Sequence, residues 1–434
     1  MNMESQEQYL RNWLDAHRVV NASGTMTSLG ASSVSPEVAA AVEVALPYFI
    51  DMHELQAFAS TWIARLTGAE AGCVSASAAA GIAVSVAACV AGSDMSVVEA
   101  LPDLPAERRK QVVLQKGHEV DFGASISQMI RLGGASVREV GTAIGCQPHH
   151  LEGALTRDTA AALFVVSHHT VQSGMLGFRD FVKICHAKGV PVIVDAASEY
   201  DLRIFINQGA DIALYSAHKF LGGPTAGIVA GKKELVRSCY INQSVGIGRA
   251  MKVGKESIVG TIAALRRWQS VDHKGLHREE YAKVCAIRDA LAAEEGIHVE
   301  EVPDPTGNPI TRLRITPSGG PEAAAQLASL LGQGRPRIVV RGHHVDLGFF
   351  ELDPCNLMDG DVGVIVGRLR EAAASMRAGK KTSTAGSLGP RKSGYYDDGV
   401  PAVDPLIVPW EFETPVPSAR ESELLDWPDR YNDK

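Results

Sequence analysis

The chain has 434 residues, 45% of them hydrophobic and 21% charged, which is the make-up of a well-cored globular protein rather than a disordered one. No apolar run approaches the roughly 18 residues that a membrane span needs, and the opening MNMESQEQYLRNWLDAH carries acids without an apolar segment, so neither a membrane span nor a secretory signal is expected. A formal charge of −8 argues against a nucleic-acid partner held by its phosphate backbone, and seven cysteines placed singly, with no CxxC, read as buried thiols of a reducing cytoplasm.

Residues 1–20 read as a polar, amphipathic helical arm with Tyr9, Leu10, Trp13 and Leu14 near one face. From 21 to 275, short β-branched runs alternate with helical stretches. The runs are Gly72–Ser75, Gln111–Gln115, Ser136–Val140, Ala162–Ser167, Pro191–Asp195, Ile212–Ser216 and Gly227–Ala230. Between them lie helix candidates at Ala78–Ala91, Gly123–Gly133, Leu176–Lys188 and Ser257–Gln269. This alternation predicts an α/β fold, a mostly parallel seven-stranded sheet with helices on both faces. The runs are almost continuously apolar, as strands covered on both faces should be.

Residues 276–378 change pattern to a small α+β domain: a charged helix Glu279–Glu295, strands Thr311–Thr316 and Arg337–Val340, and a final helix Gly360–Arg377. Residues 379–434, rich in Gly, Pro, Ser and Asp, read as an extended tail.

Asp195 and Lys219 form the strongest chemical constellation. VPVIVDAASEYDL is a strand ending in an acid, and ADIALYSAHKFLGGPTAGIVAG is a strand leading into Ser216, His218 and Lys219 at a Gly-rich turn. Ligands of open parallel sheets sit beyond the carboxyl ends of the strands, so two such ends bring a carboxylate and an amine into one crevice. A pyridoxal phosphate enzyme uses this pair, the lysine as Schiff base and the acid to keep the pyridine nitrogen protonated. Either residue alone has a plainer reading, as a surface lysine or a helix-capping acid. Cys73 to Gly81 reads as a strand turning into a helix of small residues, whose bare amides beside Ser77 and Ala78 make an anion site. Ser216, three residues before Lys219, is placed to reach the same anion. No GxxxxGK[ST] is present, which excludes a P-loop.

Together with VNASGTMTSLGASSVSPEV, VVLQKGHEVDFGASISQMIRLGGASVREVG, VVSHHTVQSGML and GIGRAMKVGKESIVG, these segments resemble fold-type-I pyridoxal phosphate enzymes. Within them they are most similar to the selenocysteine synthase branch (L-seryl-tRNA(Sec) selenium transferase) and its D-glucosaminate-6-phosphate ammonia-lyase group. The resemblance covers about residues 20–375 and implies roles. Lys219 would carry pyridoxal 5'-phosphate, Asp195 would face its ring nitrogen, and Ser77, Ala78 and Ser216 would hold its phosphate. His118 would cover the ring. His168 and His169 would face the phenolic oxygen or the substrate, one of them serving as acid for the leaving group. Arg249 and Lys252 would approach the phosphate or substrate, reaching across a dimer interface. Arg341 is the candidate for the substrate carboxylate, since a planar guanidinium fork suits that task. The look-alikes carry an arginine just after an acid where this chain has Asp353-Pro354.

The resemblance implies a lyase acting on a 2-amino-3-hydroxy acid through an external aldimine and Cα carbanion, releasing ammonia and a 2-oxo acid in a homodimer or higher oligomer. The alternative is an oxygen-dependent, carboxamide-forming monooxygenase-decarboxylase. A tRNA-dependent selenium transferase fits less well with a charge of −8 and about 20 residues ahead of VNASG. His pairs at 149–150, 168–169 and 343–344 lack the i, i+4 spacing or cysteine partners of zinc sites. No metal is expected, and His149 and His150 are read as a solvated loop.

Overall fold

A computed structural model describes residues 3–105, 107 and 110–378. The expected tail, 379–434, lies outside the described residues. Strands in chain order are β1 (Val19–Ala22), β2 (Ala71–Ser75), β3 (Gln111–Gln115), β4 (Ser136–Val140), β5 (Thr159–Val165), β6 (Val192–Asp195), β7 (Ile212–Ser216) and β8 (Gly227–Gly231), followed by β9 (Ile297–Pro303), β10 (Thr311–Pro317), β11 (Arg337–Val340) and β12 (Phe350–Leu352).

Seven strands make the large sheet, in the order β2-β8-β7-β6-β5-β3-β4, parallel from β7 through β4 and antiparallel where β8 meets β7 and β2. Helices Met52–Thr67, Phe178–Ala187 and Lys255–Ser270 pack Ile63, Phe181 and Leu265 on one face. Helices Ala78–Ala91, Ile126–Leu132 and Lys233–Ser244 pack Ile82, Ile130 and Val236 on the other. Both faces are therefore dry, which is why β6 and β7 are apolar throughout until the acid and the hydroxyl at their ends. The carboxyl ends of β5, β6 and β7 lie side by side and set the site.

The C-terminal sheet is antiparallel, in the order β12-β10-β9, with its own core of Leu313, Phe350, Leu327 and Leu369. β11 does not join it. It pairs in parallel with β1, Val19 opposite Arg337, so the segment after the N-terminal arm is fastened to the C-terminal unit. The charged helix begins at His273 rather than Glu279, because the Asp272 carboxylate accepts from Gly275 N–H and caps it there. Helix Met3–Ala16 leaves Tyr9, Leu10, Trp13 and Leu14 exposed. His149 and His150 start the helix Pro148–Ala154, where His150 Nδ1 accepts from Gln147 N–H, in place of the expected loop. No helix of the described residues is long and apolar enough to cross a membrane.

Candidate active site

Asp195 is the last residue of β6 and is buried, with Oδ1 accepting from Ala197 N–H at 3.1 Å. Burial pushes its carboxyl up, opposed by the Lys219 charge and the Ala197 amide. Lys219 follows β7 in a tight turn, and its Nζ donates to Ser198 Oγ. Burial pushes the ammonium down, with Asp195 and Glu199 holding it up and Arg341 adding to the fall. A buried amine poised this way gives up its proton more readily than a surface lysine.

At the far edge of the sheet, Ser77 caps helix Ala78–Ala91, its Oγ accepting from Ala80 N–H at 3.0 Å. Helix geometry leaves the amides of Ala78 and Ala79 aimed outward for an anion. Ser75 Oγ donates to Ser77 O at 2.9 Å, and Gly227 of β8 presses against this turn so closely that a Cβ there would lie 2.3 Å from Ser77. Only a glycine admits that approach. Ser216 ends β7, buried, three residues from Lys219.

His168 and His169 follow β5, and their rings gather with His343, which follows β11. Ring centroids are 3.7 Å apart for 168–169, 5.5 Å for 168–343 and 5.0 Å for 169–343. One nitrogen of each lies within 4.8 Å of the others, a metal-sized spacing that the i, i+1 sequence pattern hides. His168 Nε2 is buried without a partner. Burial first, then the Arg341 guanidinium, push all three imidazoles down, His343 to about 4. The cluster is neutral at pH 7 in a positive field, which favours an anion or a hydroxyl-bearing ligand over a cation.

Two arginines lie nearby and differ in their freedom. Arg312 is bound on both sides, Nη2 to Asp304 at 2.6 Å and Nε to Asp353 at 2.7 Å. Asp353 is thus the buried counter-ion of Arg312, which accounts for the acid in the Asp353-Pro354 segment. Arg341 is buried too, but its contacts are longer: Ser23 O at 3.4 Å and Glu351 at 3.8 Å. Arg341 keeps the more available fork.

His118 is buried edge-on to Phe164 at 4.5 Å, its Nδ1 accepting from Val165 N–H, and burial pushes it down to about 4. Arg249 lies in an exposed 3-10 turn, Ile247–Met251, packed on Gln243 and Val84, and Lys252 follows it, also exposed. Both side chains are exposed within one chain. The sequence reading missed Ser198, Glu199, Thr306 and Asn308. Glu199 Oε1 lies 3.0 Å from Thr306 Oγ1, and Asn308 Nδ2 donates to Ser198 O at 3.1 Å. The only signals for them were an acid just past β6 and the turn-rich DPTGNP.

A family model for L-seryl-tRNA selenium transferase matches residues 19–278. The chain belongs to that family. It is 39% identical over 363 residues to D-glucosaminate-6-phosphate ammonia lyase of Salmonella typhimurium, covering 83% of this chain and 96% of the relative. It is 38% identical over 357 residues to 5'-C-glycyluridine monooxygenase-decarboxylase of a Streptomyces species, covering 81% and 89%. A solved D-glucosaminate-6-phosphate ammonia-lyase structure superposes with a TM-score of 0.75 at 37% identity, over 84% of this chain and 98% of that one. A cysteine desulfurase from Thermococcus onnurineus, at 13% identity and TM-score 0.54, shares the fold alone. The protein is a pyridoxal phosphate-dependent enzyme of fold type I. The site suits that cofactor, with a buried acid, a half-buried lysine and an anion cradle closed by Gly227 along one sheet edge.

Proposed function

We propose that the protein is an ammonia-lyase that removes the elements of water and then ammonia from a 2-amino-3-hydroxy acid. The observation that carries this reading is the buried Asp195 with the half-buried Lys219, together with the likeness to an ammonia lyase across nearly that relative's whole length. Bound pyridoxal phosphate supplies the electron sink for the pair left at Cα. Ser77, Ala78 and Ser216 hold its phosphate end and Asp195 its ring nitrogen. Lys219, freed as an amine, takes the α proton. Arg341 offers its fork to the substrate carboxylate.

His168, His169 and His343 face the substrate as neutral imidazoles, so they suit hydrogen bonding to its hydroxyl groups. An imidazolium acid at pH 7 does not agree with groups held down by burial and Arg341. Exposed Val44, Tyr48, Phe49 and Phe58 are consistent with a homodimer, in which Arg249 and Lys252 of each subunit approach the other's site. Seven free cysteines suit the cytoplasm.

The test is turnover of a panel of 2-amino-3-hydroxy acids in air and under nitrogen, assaying ammonia and 2-oxo acid. Equal yields in both atmospheres are expected. The 38% relative frames the contrary outcome, in which turnover requires oxygen and releases carbon dioxide.

A further inference from the structure

The loop after β6 is held first by the large sheet and then by the C-terminal unit. Ala196 N–H donates to Leu214 O at 2.9 Å and Ser216 N–H to Ala197 O at 3.3 Å, so β7 fixes the loop as far as Ala197. From Ser198 on, the partner is Asn308 of the β9–β10 connection. Its Oδ1 accepts from Tyr200 N–H at 2.8 Å, which sets the amide's orientation, since an amide nitrogen cannot accept. Its Nδ2 then faces four oxygens: Thr306 Oγ1 at 3.0 Å, Ser198 O at 3.1 Å, Asp304 Oδ1 at 3.3 Å and Glu199 Oε1 at 3.4 Å. One side chain thus grips the main chain on both sides of Glu199. One of the two residues gripped is Ser198, whose Oγ accepts from Lys219 Nζ. Asn308 is itself fixed. Asp304 Oδ1 accepts from Thr306 N–H at 3.0 Å and Asn308 N–H at 3.4 Å, folding DPTGNP into a turn, and Oδ2 pairs with the buried Arg312 at 2.6 Å.

We propose that Asn308 is a positioning residue for Lys219: it clamps the loop so that the Ser198 hydroxyl stands beside the lysine amine and fixes its aim. The inference rests on the reading of Lys219 as the group that takes the α proton. A lysine amine ends a flexible four-carbon stem, and proton transfer requires it within hydrogen-bond reach of the atom it serves. Ser198 Oγ supplies a fixed point for that amine. Asn308 ties the point to the C-terminal unit, through a turn that the Arg312 and Asp304 pair holds rigid. A misplacement of about 1 Å costs about 100-fold in rate, so a clamp that acts only through Ser198 still matters to the reaction.

Chemical labelling tests this without substrate. In the full-length apo-protein, trace acetic anhydride acetylates each lysine faster as its amine is released, and peptide mass mapping reads Lys219 separately. Ser198→Ala should raise the Lys219 rate about 10-fold, the scale of one lost hydrogen bond to a charged group. Ser198→Thr, which keeps a hydroxyl, should label as the wild type does. Asn308→Ala should raise the rate several-fold, yet add nothing in the Ser198→Ala background, because it acts through Ser198. Lys283, half-buried with its Nζ donating to Leu357 O, reports general loosening and should not change. In the holoenzyme, kcat toward a 2-amino-3-hydroxy acid should fall about 10-fold or more in both single variants. Additive effects in the double variant, Lys219 labelling unmoved by Asn308→Ala, or an equal rise at Lys283 would overturn the assignment. Wild-type protein that turns over no such acid would overturn the elimination reading, and the labelling still decides the role of Asn308. If Asn308→Ala fails to fold, Asn308→Ser serves. It keeps a turn-forming residue but is too short to reach both Ser198 O and Tyr200 N–H, and the same labelling results are expected of it.

Discussion

Gly227→Ala perturbs the proposed phosphate cradle without removing a polar group. The added Cβ would lie 2.3 Å from Ser77 C and O and 2.5 Å from Ser75 Oγ, against the 3.4–4 Å of ordinary contact. Backbone must therefore open by about 1 Å, which as overpacking costs ~1–3 kcal/mol. The opening falls on the residue that caps helix Ala78–Ala91, so the Ala78 and Ala79 amides move off the anion they are aimed at. Losing one charge-assisted hydrogen bond is worth ~1.5–3 kcal/mol, or about 10- to 100-fold in Kd for pyridoxal phosphate. The assay is titration of the apo-protein by its visible band, paired with thermal melting of the same samples. Gly363→Ala is the control: it is exposed in helix Asp361–Arg377 and nothing lies within 4 Å of its Cβ position. That variant should keep the wild-type Kd and gain about 0.5–1 kcal/mol. Wild-type Kd and melting in Gly227→Ala would refute the reasoning.

Asp304 and Asp353 are both held below the usual carboxylate range against burial, Asp304 by the Thr306 hydroxyl and the Arg312 guanidinium, Asp353 by Arg312 and the Cys355 hydrogen bonds. Their contribution is fully present above the unfolded value near 4 and is lost as pH falls through their lowered folded values, so the urea midpoint should drop on acidification below about pH 4. Asp353→Asn should cost about 3–5 kcal/mol at pH 7, since it strips a buried guanidinium of one partner, and should flatten that acid dependence. Burial raises the thiols of Cys185 and Cys239 to about 12, so a thiol reagent should leave both unlabelled in the native protein and modify them only on unfolding, as peptide mapping would show.

What could be read from the chain follows its physics. Strands β3, β4 and β7 and helix Ala78–Ala91 fall where their apolar runs and flanking turn residues put them. β9 escaped because IHVEEVP is only half-covered and its polar residues hide the strand among helical text. The β1–β11 pairing has no local signature, since parallel partners far apart in sequence reveal nothing of each other. The same division runs through the site. Asp195 and Lys219 were legible because one ends an apolar strand and the other stands in the Gly-rich turn just past one. Glu199, Thr306 and Asn308 meet only when the β9–β10 connection closes over the loop after β6, and Arg312 shows its two acids only in three dimensions. His168 and His169 were legible at the end of a strand, but their meeting with His343 beside the Arg341 charge shows only in three dimensions.

The proposed chemistry depends on Lys219 being the cofactor's attachment point. Borohydride reduction of the holoenzyme, followed by peptide mass mapping, tests that directly. One pyridoxyl-phosphate adduct per chain is expected, on Lys219, and none in Lys219→Ala. An adduct on another lysine, or undiminished turnover in Lys219→Ala, would contradict it.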